Sequence, residues 1–541
     1  NSNCMDRRGF IQSLRNKKPA LRITSGLAPY SGAWTVNEVT HLLRRTGFGA
    51  RKVDVDYFLT RSINDAVDEL LTINTTLQPP VRDYGPINDA GMLYDDVSVA
   101  IGQTWINDPN TASDPEARVL INIYRVESLR KWWAGLITNS GRSIEEKLVL
   151  FWHHHFAVQE SEVGDARMLY RHHMLLRNAA MGDFRKLVKD VTVDAAMLIH
   201  LNGFLNTKKA PDENYARELQ ELFTIGKDTP SGFAEQDVIE AARVLTGWRV
   251  NYATATSFFE PAAHDTGGKT FSPFYNNTSI AGNADGLQEL DALVNMIFTT
   301  SEASKFIIRK LYRWFVYYEI TDAVEANVIA PLATVFRNAN FQIKPVLETL
   351  FKSEHFFDVH NQACYIKSPY DIIVGALHDF DVTVPPYTDY AAGYPFFFNL
   401  YERSGRMQMR LFQPPDVAGW PSYYQDPMHY QLWVNSNSLP RRADYTNALV
   451  DDNILDLRAF AAQTSAPANP NILIDEASRQ LLRYPLSAAS KTWVKNKFLL
   501  NGGTDDTVWT TAWNSNNAAV ITPALKNLFK FLMNLPEYHL C

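Results

Sequence analysis

DPEARVLINIYRVESLRKWWAGLI, residues 114–137, is the stretch that sets the fold class of this 541-residue chain. It opens with Asp114 and Pro115. Proline is favoured at the first helical position because its fixed φ suits a helix and its missing N–H would be unbonded there anyway. The stretch therefore predicts a long helix.

The next segment, SIEEKLVLFWHHHFAV (residues 143–158), also reads as a helix, with Ser143 and Glu146 in the spacing of a capping box. It contains three consecutive histidines, residues 153–155. Neighbouring residues on a helix are about 100° apart, so the three rings cannot all face one ligand. We expect the helix to end near residue 156, because the chain then leads into the polar run ESEVGD.

Helical patterns fill most of the remaining chain, and alternating strand patterns are scarce. VNEVTHLLRRTGFGA (36–50) predicts an amphipathic helix, residues 54–72 predict another, and the strand candidates are residues 249–260 and 381–402. The expected fold is mainly α: one large multi-helix domain with long irregular aromatic-rich insertions and few short strands. The expected boundaries are a basic N-terminal arm at 1–34 and a single domain at 35–541, with insertions at about 75–114, 251–284 and 381–440.

Charge and cysteine content exclude several classes of protein. The net charge is −7 and the pI is near 6.0, which gives no electrostatic case for a nucleic-acid partner. No window approaches the roughly 18 apolar residues of a transmembrane helix. Three cysteines are too few for a disulfide framework.

The arm contains MDRRGFIQSL (residues 5–14), which is similar to the twin-arginine start of a bacterial export signal. Such a signal also needs an apolar stretch of roughly 7–15 residues. The residues that follow, RNKKPALRITSG, are basic and polar instead. The expected location is extracytoplasmic, in the periplasm or cell envelope, and a cytoplasmic location stays open because this apolar segment is missing.

The histidine run allows two interpretations. A zinc site on one helix prefers ligands at i and i+4, so a metal here would need ligands from elsewhere in the chain. The alternative is a buried histidine that bonds the backbone. The candidate outside ligands are His172, His173, His200, and His264 with Asp265.

PDENYARELQELFTIG (residues 211–226) carries a second dense set of polar residues. Glu213, Arg217 and Glu221 share one helical stripe, and Glu218 lies on the adjacent stripe. One interpretation is a solvated ladder of ion pairs, each worth about 0.3–0.5 kcal/mol. The other is a buried polar helix whose glutamates meet the histidines.

Two further stretches carry candidate chemistry. In HDTGGKTF (264–271), a His-Asp pair can ligate a metal or orient an imidazole. In RLFQPPDVAGWPSYYQ (410–425), Trp420 either packs in a structural corner or forms the stacking wall of a groove with Tyr424 and Trp433. Nucleotide-binding glycine motifs, the GxSxG nucleophile motif and CxxC are absent.

Six segments occur in an order that resembles the signature of a bacterial family catalogued as domain of unknown function 1800. They are HLLRRTGFG (41–49), FWHHHF (151–156), NYARELQELFTIG (214–226), DVIEAARVLTGW (237–248), HDTGGK (264–269) and QPPDVAGW (413–420). The resemblance implies a helical fold, a bacterial source and, in many members, a twin-arginine export signal. It also implies a co-encoded sulfatase-like exported protein as a partner, and it assigns no activity.

The resemblance also indicates which residues matter most. At the histidine run it maps onto Trp152, His153, His155 and Phe156, with His154 at a variable position. The other mapped residues are Glu213, Asn214, Tyr215, Arg217, Glu218, Glu221, His264, Asp265 and Lys269. Many members carry histidine where this chain has Phe223, which argues against a ligand at that point.

The resulting hypothesis is a metal- or His/Glu-dependent hydrolase that acts on a carbohydrate or another envelope-related polymer. The expected catalytic residues are His153, His155, Arg217, Glu218, His264, Asp265 and Lys269. The hypothetical divalent metal is assigned to His153, His155, His264 and Asp265, and substrate binding is assigned to Trp248, Trp420 and Tyr424. The alternative is a non-catalytic partner or scaffold protein in an envelope-associated complex, with the same motifs as buried structural networks.

Overall fold

The computed structural model describes residues 25–73, 76–227, 232–420 and 433–541. These residues are mainly helical, as the sequence predicts, with few short strands. The helices of the first half are α1 (Val36–Thr46), α2 (Lys52–Leu59), α3 (Ile63–Leu70), α4 (Pro115–Thr138), α5 (Glu145–His155), α6 (Glu160–Val163), α7 (Ala166–Asn178), α8 (Phe184–Thr192), α9 (Ala195–His200), α10 (Glu213–Glu218) and α11 (Glu235–Val244).

A π-helical segment, Leu219–Thr224, continues α10 directly. The helices of the second half are α12 (Gly286–Thr299), α13 (Ser301–Phe315), α14 (Asp322–Val324), α15 (Ala330–Asn338), α16 (Ile343–Phe351), α17 (Pro369–Asp379), α18 (Tyr390–Arg406), α19 (Ser438–Asp451), α20 (Leu457–Ala462), α21 (Pro470–Leu481), α22 (Ala488–Val494), α23 (Thr507–Asn514) and α24 (Ala518–Asn534).

The strands of the described residues form three antiparallel pairs, and all of them lie in predicted insertions or next to them. They are β1 (Ile87–Asp89) with β2 (Met92–Tyr94), β3 (Trp248–Asn251) with β4 (Thr256–Phe259), and β5 (Lys269–Thr270) with β6 (Ser279–Ile280). The strand candidate at 249–260 is therefore confirmed as a hairpin.

Helix α4 confirms the stretch that sets the fold class. Asp114 caps it by accepting from the Glu116 N–H at 2.9 Å, and Pro115 follows. Its Trp132 and Trp133 are buried, and α4 packs along α18 in the core. Helix α5 is buried throughout and ends at His155, close to the expected end.

The capping box predicted at Ser143 and Glu146 is wrong. Ser143 accepts only from the Glu145 N–H, and the helix starts without a side-chain cap. Glu146 instead receives two bonds from Arg177, at 2.6 and 2.8 Å, and one from the Trp133 indole. The Glu146 carboxylate pairs with the buried Arg177 because either charge would be strongly destabilising if it were buried without a partner.

Two other expectations are also corrected. Residues 54–72 form two helices, because the Ser62 hydroxyl accepts from the Asp65 N–H at 3.1 Å and starts a new helix. The run at 381–402 is mostly α18 rather than strand, since Tyr394, Phe397 and Tyr401 are buried at helical spacing.

The segment from residue 25 to residue 34 packs on the domain. Ser25 donates to Asp358 at 2.8 Å, and Tyr30 contacts Phe357 with ring centroids 4.7 Å apart. The remainder of the predicted arm lies outside the described residues. Within the described residues, no helix is both long and apolar enough to cross a bilayer.

Candidate functional site

His153 lies in the aromatic core at the end of α5. Its ring packs edge-on against Trp133 and Phe412, and Nε2 accepts from the Phe412 N–H at 3.2 Å. Burial, and then the nearby His172, lowers the pKa of His153 well below its ordinary value. The ring is therefore neutral, and it holds the loop that carries Phe412.

His155 faces another part of the core. Its Nε2 donates to the Phe223 carbonyl at 3.2 Å, and its Nδ1 accepts from Lys310 Nζ at 2.9 Å. Lys310 also donates to the Leu222 carbonyl at 2.9 Å. Both carbonyls belong to the π-helical segment, whose wider turn leaves main-chain oxygens for side chains. Burial and Lys310 lower the pKa of His155 well below its ordinary value.

The polar residues of helix α10 form a solvated ladder of ion pairs and are not a buried set that meets the histidines. Arg217 bonds Glu235 and lies 3.3 Å from Glu213 and 3.8 Å from Glu221, all partly exposed. Glu218 is half-buried, and its pKa is raised by burial and then by Glu221. These side chains do not contact His153, His155 or His264 in any bond of the described residues.

His264, Asp265 and Lys269 form a third separate group. His264 Nδ1 donates to the Thr246 carbonyl at 2.8 Å, and Nε2 lies 3.4 Å from Glu289 Oε1. Lys269 Nζ contacts Glu289 Oε2 at 2.5 Å, with both side chains buried.

Asp265 turns away from this pair toward the surface. It receives two bonds from Arg243, at 2.8 and 3.3 Å, and one from the Gly267 N–H. The Arg243 guanidinium and the Gly267 N–H hold the pKa of Asp265 below its usual value despite partial burial, which opposes them. Together these contacts tie α11 to the β5 loop and to α12.

The predicted metal ligands thus lie in three different environments. Within the described residues, no group of three or more His, Cys, Asp or Glu side chains is arranged to hold a metal ion. Trp248 is buried in β3 against Phe259, with ring centroids 5.3 Å apart, and lines none of the described cavities. Tyr424 lies outside the described residues.

His154, the variable position of the run, does line a cavity. Its ring lies nearly parallel to the indoles of Trp314 and Trp420, with centroids 5.6 and 6.2 Å away. Its Nδ1 accepts from the Trp420 N–H at 3.1 Å, so the neutral ring carries its proton on Nε2.

Gly419 makes this arrangement possible. The residue has φ +99°, and a Cβ there would overlap the His154 ring and carbonyl. The Asp416–Gly419 turn therefore lets the chain approach the end of α5 closely enough for Trp420 to bond His154. Trp420 is buried in the core and also lines the cavity, so its side chain has a structural position and a face toward the cavity at the same time.

The cavity is narrow: the space inside it that water-sized atoms can occupy is about 20 Å³, which is room for a compact group of a few atoms. Its lining is unusually charged for a buried space. The lining residues are Arg44, Arg45, Lys147, His154, Trp314, Tyr365, Ser368, Asp371, Trp420, Trp433 and Cys541. Segments from both ends of the chain and from its middle thus enclose one space.

Sequence reasoning missed the charged members of this lining. Arg44 and Arg45 lie in HLLRRTGFG, where no local motif indicates a role for them, and none marks Lys147 or Asp371. One signal was present: in Leu42–Arg45, four consecutive helical residues span every side of α1, so a buried α1 must bury an arginine.

Comparison with known proteins gives a family but no activity. No curated protein and no solved structure matches the chain significantly. A family model described as "Protein of unknown function (DUF1800)" matches residues 41–540. This range includes α1, the histidine run, the polar helix and the cavity, and so the chain belongs to the DUF1800 family.

Proposed function

We propose that the protein binds a small organic ligand in the cavity beside His154 and Trp420. The observation that carries this proposal is that Arg45, His154 and Trp420 come from distant segments and are buried, yet they enclose a space instead of filling it. Ligand sites are typically concave and aromatic, with a few placed polar groups. The cavity has this composition.

Hydrolysis of a carbohydrate or another envelope-related polymer is the reaction we propose for this site. Flat indoles such as Trp314 and Trp420 suit a sugar ring. On the cavity wall, we assign proton transfer to His154 and Asp371 while water adds across the scissile bond. An extracytoplasmic location and a sulfatase-like partner accompany this proposal as hypotheses.

No step of the proposal uses a metal. The four predicted ligands do not fit one, because His153, His155 and His264 bond the main chain and Asp265 bonds Arg243. We propose structural roles for these histidines and for Lys269. Their bonds hold together segments of the core.

A scaffold role is the second candidate, and one surface favours it. Met92 and Leu93 at the tip of the β1–β2 hairpin and Val97 just after it are 50%, 70% and 87% exposed. Exposed apolar clusters of this kind are typical of protein–protein contacts. Replacing Leu93 and Val97 by Asp should release a partner captured by the wild type, without changing ligand binding in the cavity.

The experiment that tests the ligand proposal compares two tryptophans. A panel of neutral and charged sugars and small metabolites is screened by thermal shift against wild type, Trp314→Leu and Trp493→Leu. Trp314 lines the cavity, whereas Trp493 is an exposed residue of α22 and serves as the matched control. We expect compounds that stabilise wild type to stabilise Trp493→Leu equally and Trp314→Leu less. Equal stabilisation of all three proteins would place the ligand elsewhere.

A further inference from the structure

Arg45 is a buried cation without a carboxylate partner. Its side chain lies in α1, and the residue is 2% exposed. Among the described residues, Arg45 takes part in no ion pair with Asp or Glu, whereas the adjacent Arg44 lies 3.3 Å from Asp379. Burial acts to lower the pKa of Arg45, but Cys541 and Cys364 act electrostatically to raise it, so part of the compensation lies within the protein. A bound anion would add the carboxylate-like partner that Asp379 gives to Arg44.

The hydrogen bonds of Arg45 use only one end of its guanidinium. Nη2 donates to the carbonyls of Val316 and Asn361 at 2.9 and 3.0 Å and lies 3.4 Å from the Cys364 sulfur. The guanidinium also lies over the Tyr365 ring, 4.9 Å from its centroid. The Nε and Nη1 atoms are buried and have no acceptor within the described residues.

The region around the cavity has an excess of positive charge. Five cationic side chains are buried there with two carboxylate side chains, Asp371 and Asp379, and Cys541 also acts on Arg45 and Lys367 to raise their pKa. The cations are Arg44, Arg45, Lys147, Lys367 and Arg442. Lys147 bonds Asp371, and Arg44 pairs with Asp379, which leaves the other three cations without a carboxylate side chain among the described residues.

Burial lowers the pKa of two of these cations, and for Lys367 a neighbouring cation adds to the effect. Burial, and then Arg44, lowers the pKa of Lys367 to about 8. Burial lowers the pKa of Arg442 to about 10, although Asp371 opposes it. An anion brought into this space would relieve both effects.

We infer that the cavity binds an oxyanion group, such as a phosphate, sulfate or carboxylate, with Arg45 and Lys147 as its cationic partners. This inference rests on the proposed ligand site and names the chemical class of the ligand. An oxyanion offers several acceptor oxygens, which suits unpaired guanidinium N–H groups and a lysine on the same wall. The narrow space fits such a compact group, and Trp314 and Trp420 would contact the rest of the ligand.

The test uses the full chain and inorganic phosphate, inorganic sulfate and acetate, each at constant ionic strength set with chloride. We expect at least one oxyanion to raise the melting temperature by about 2–3 °C when its concentration is 100-fold above its dissociation constant. Arg45→Lys and Lys147→Met should reduce this shift by at least half. Lys186→Gln, which changes an exposed lysine of α8, should leave the shift unchanged.

Three outcomes would overturn the inference. The first is an oxyanion shift that is unchanged in both cavity variants. The second is no shift with any oxyanion while a neutral compound binds in a Trp314-dependent manner, which would leave the ligand site standing but remove its anionic class. The third comes from crystals of wild type soaked in selenate, an experiment that needs no variant. Density only for water beside Arg45 would contradict the inference, whereas a selenium atom bound there would support it.

Discussion

Replacing Lys269 by Met should cost the protein about 3 kcal/mol of unfolding free energy. Lys269 and Glu289 have side-chain exposures of 0% and 1%, and their charged atoms are 2.5 Å apart. Breaking a buried ion pair by removing one partner typically costs about 3–5 kcal/mol, because the other charge stays buried. We expect a loss at the lower end of this range, because the Glu289 carboxylate still accepts from the Asn283 N–H at 2.6 Å and lies 3.4 Å from His264.

The double variant Lys269→Met, Glu289→Leu isolates the charge from the packing. It removes both ions, so it should be about 1–2 kcal/mol more stable than Lys269→Met alone. Urea unfolding followed by both tryptophan fluorescence and circular dichroism gives these free energies where the two midpoints coincide. Lys186→Met, on an exposed helix face, is the matched control.

The result also separates the two roles considered for the HDTGGK segment. If Lys269 has a structural role, Lys269→Met should be destabilised, and adding Glu289→Leu should restore part of the lost stability. A loss below about 1 kcal/mol for Lys269→Met, or a double variant as unstable as the sum of both single variants, would refute the buried-pair reasoning. Lys269 would then have to be explained by function rather than by stability.

Three further predictions follow from other buried groups. Burial lowers the pKa of His153 and of His155 well below 6.5, so the unfolded chain takes up protons that the folded chain does not. The unfolding free energy should therefore fall as the pH drops below about 6.5, by about 1.4 kcal/mol per pH unit for each histidine. Urea titrations of His155→Gln should show a shallower dependence on pH. Arg177→Met should cost about 3–5 kcal/mol, because it leaves the buried Glu145 and Glu146 without their cation; a loss under 1 kcal/mol in the same titration would contradict this. Dialysis against a chelator should leave the melting temperature unchanged, and a stoichiometric metal detected by mass spectrometry in wild type but lost in folded His153→Ala would contradict this.

The helices could be predicted because their signals are local. Asp114 and Pro115 mark the start of α4 through bonds within one turn, and the end of α5 at His155 follows from the polar residues beyond it. The hairpin at β3 and β4 is also local in sequence. Propensity and capping act over a few residues, so a single sequence contains them.

The errors have a different cause, which is long-range pairing. Glu146 has the spacing of a cap, but Arg177, which lies 31 residues away, takes its carboxylate. The π-helical turn at Leu219–Thr224 presents carbonyls to Lys310 and His155, which no local pattern indicates. In both places, contacts between residues far apart in the sequence determine which groups the side chains bond.

The candidate site shows why chemical type alone was a poor guide. His153 and Lys269 carry reactive groups and occur in recognisable motifs, yet Nε2 of His153 bonds the main chain and Lys269 pairs with Glu289. Arg45 lies in an equally recognisable motif, and it is one of several residues whose buried N–H groups lack an acceptor in the described part of the chain. A fold tolerates such a deficit only where something else compensates it, since the cost of an unpaired buried charge rivals the net stability of a domain. We propose Arg45 as a ligand-binding residue because its unbonded N–H groups lie on the wall of a cavity, and that combination arises only once the distant segments have come together.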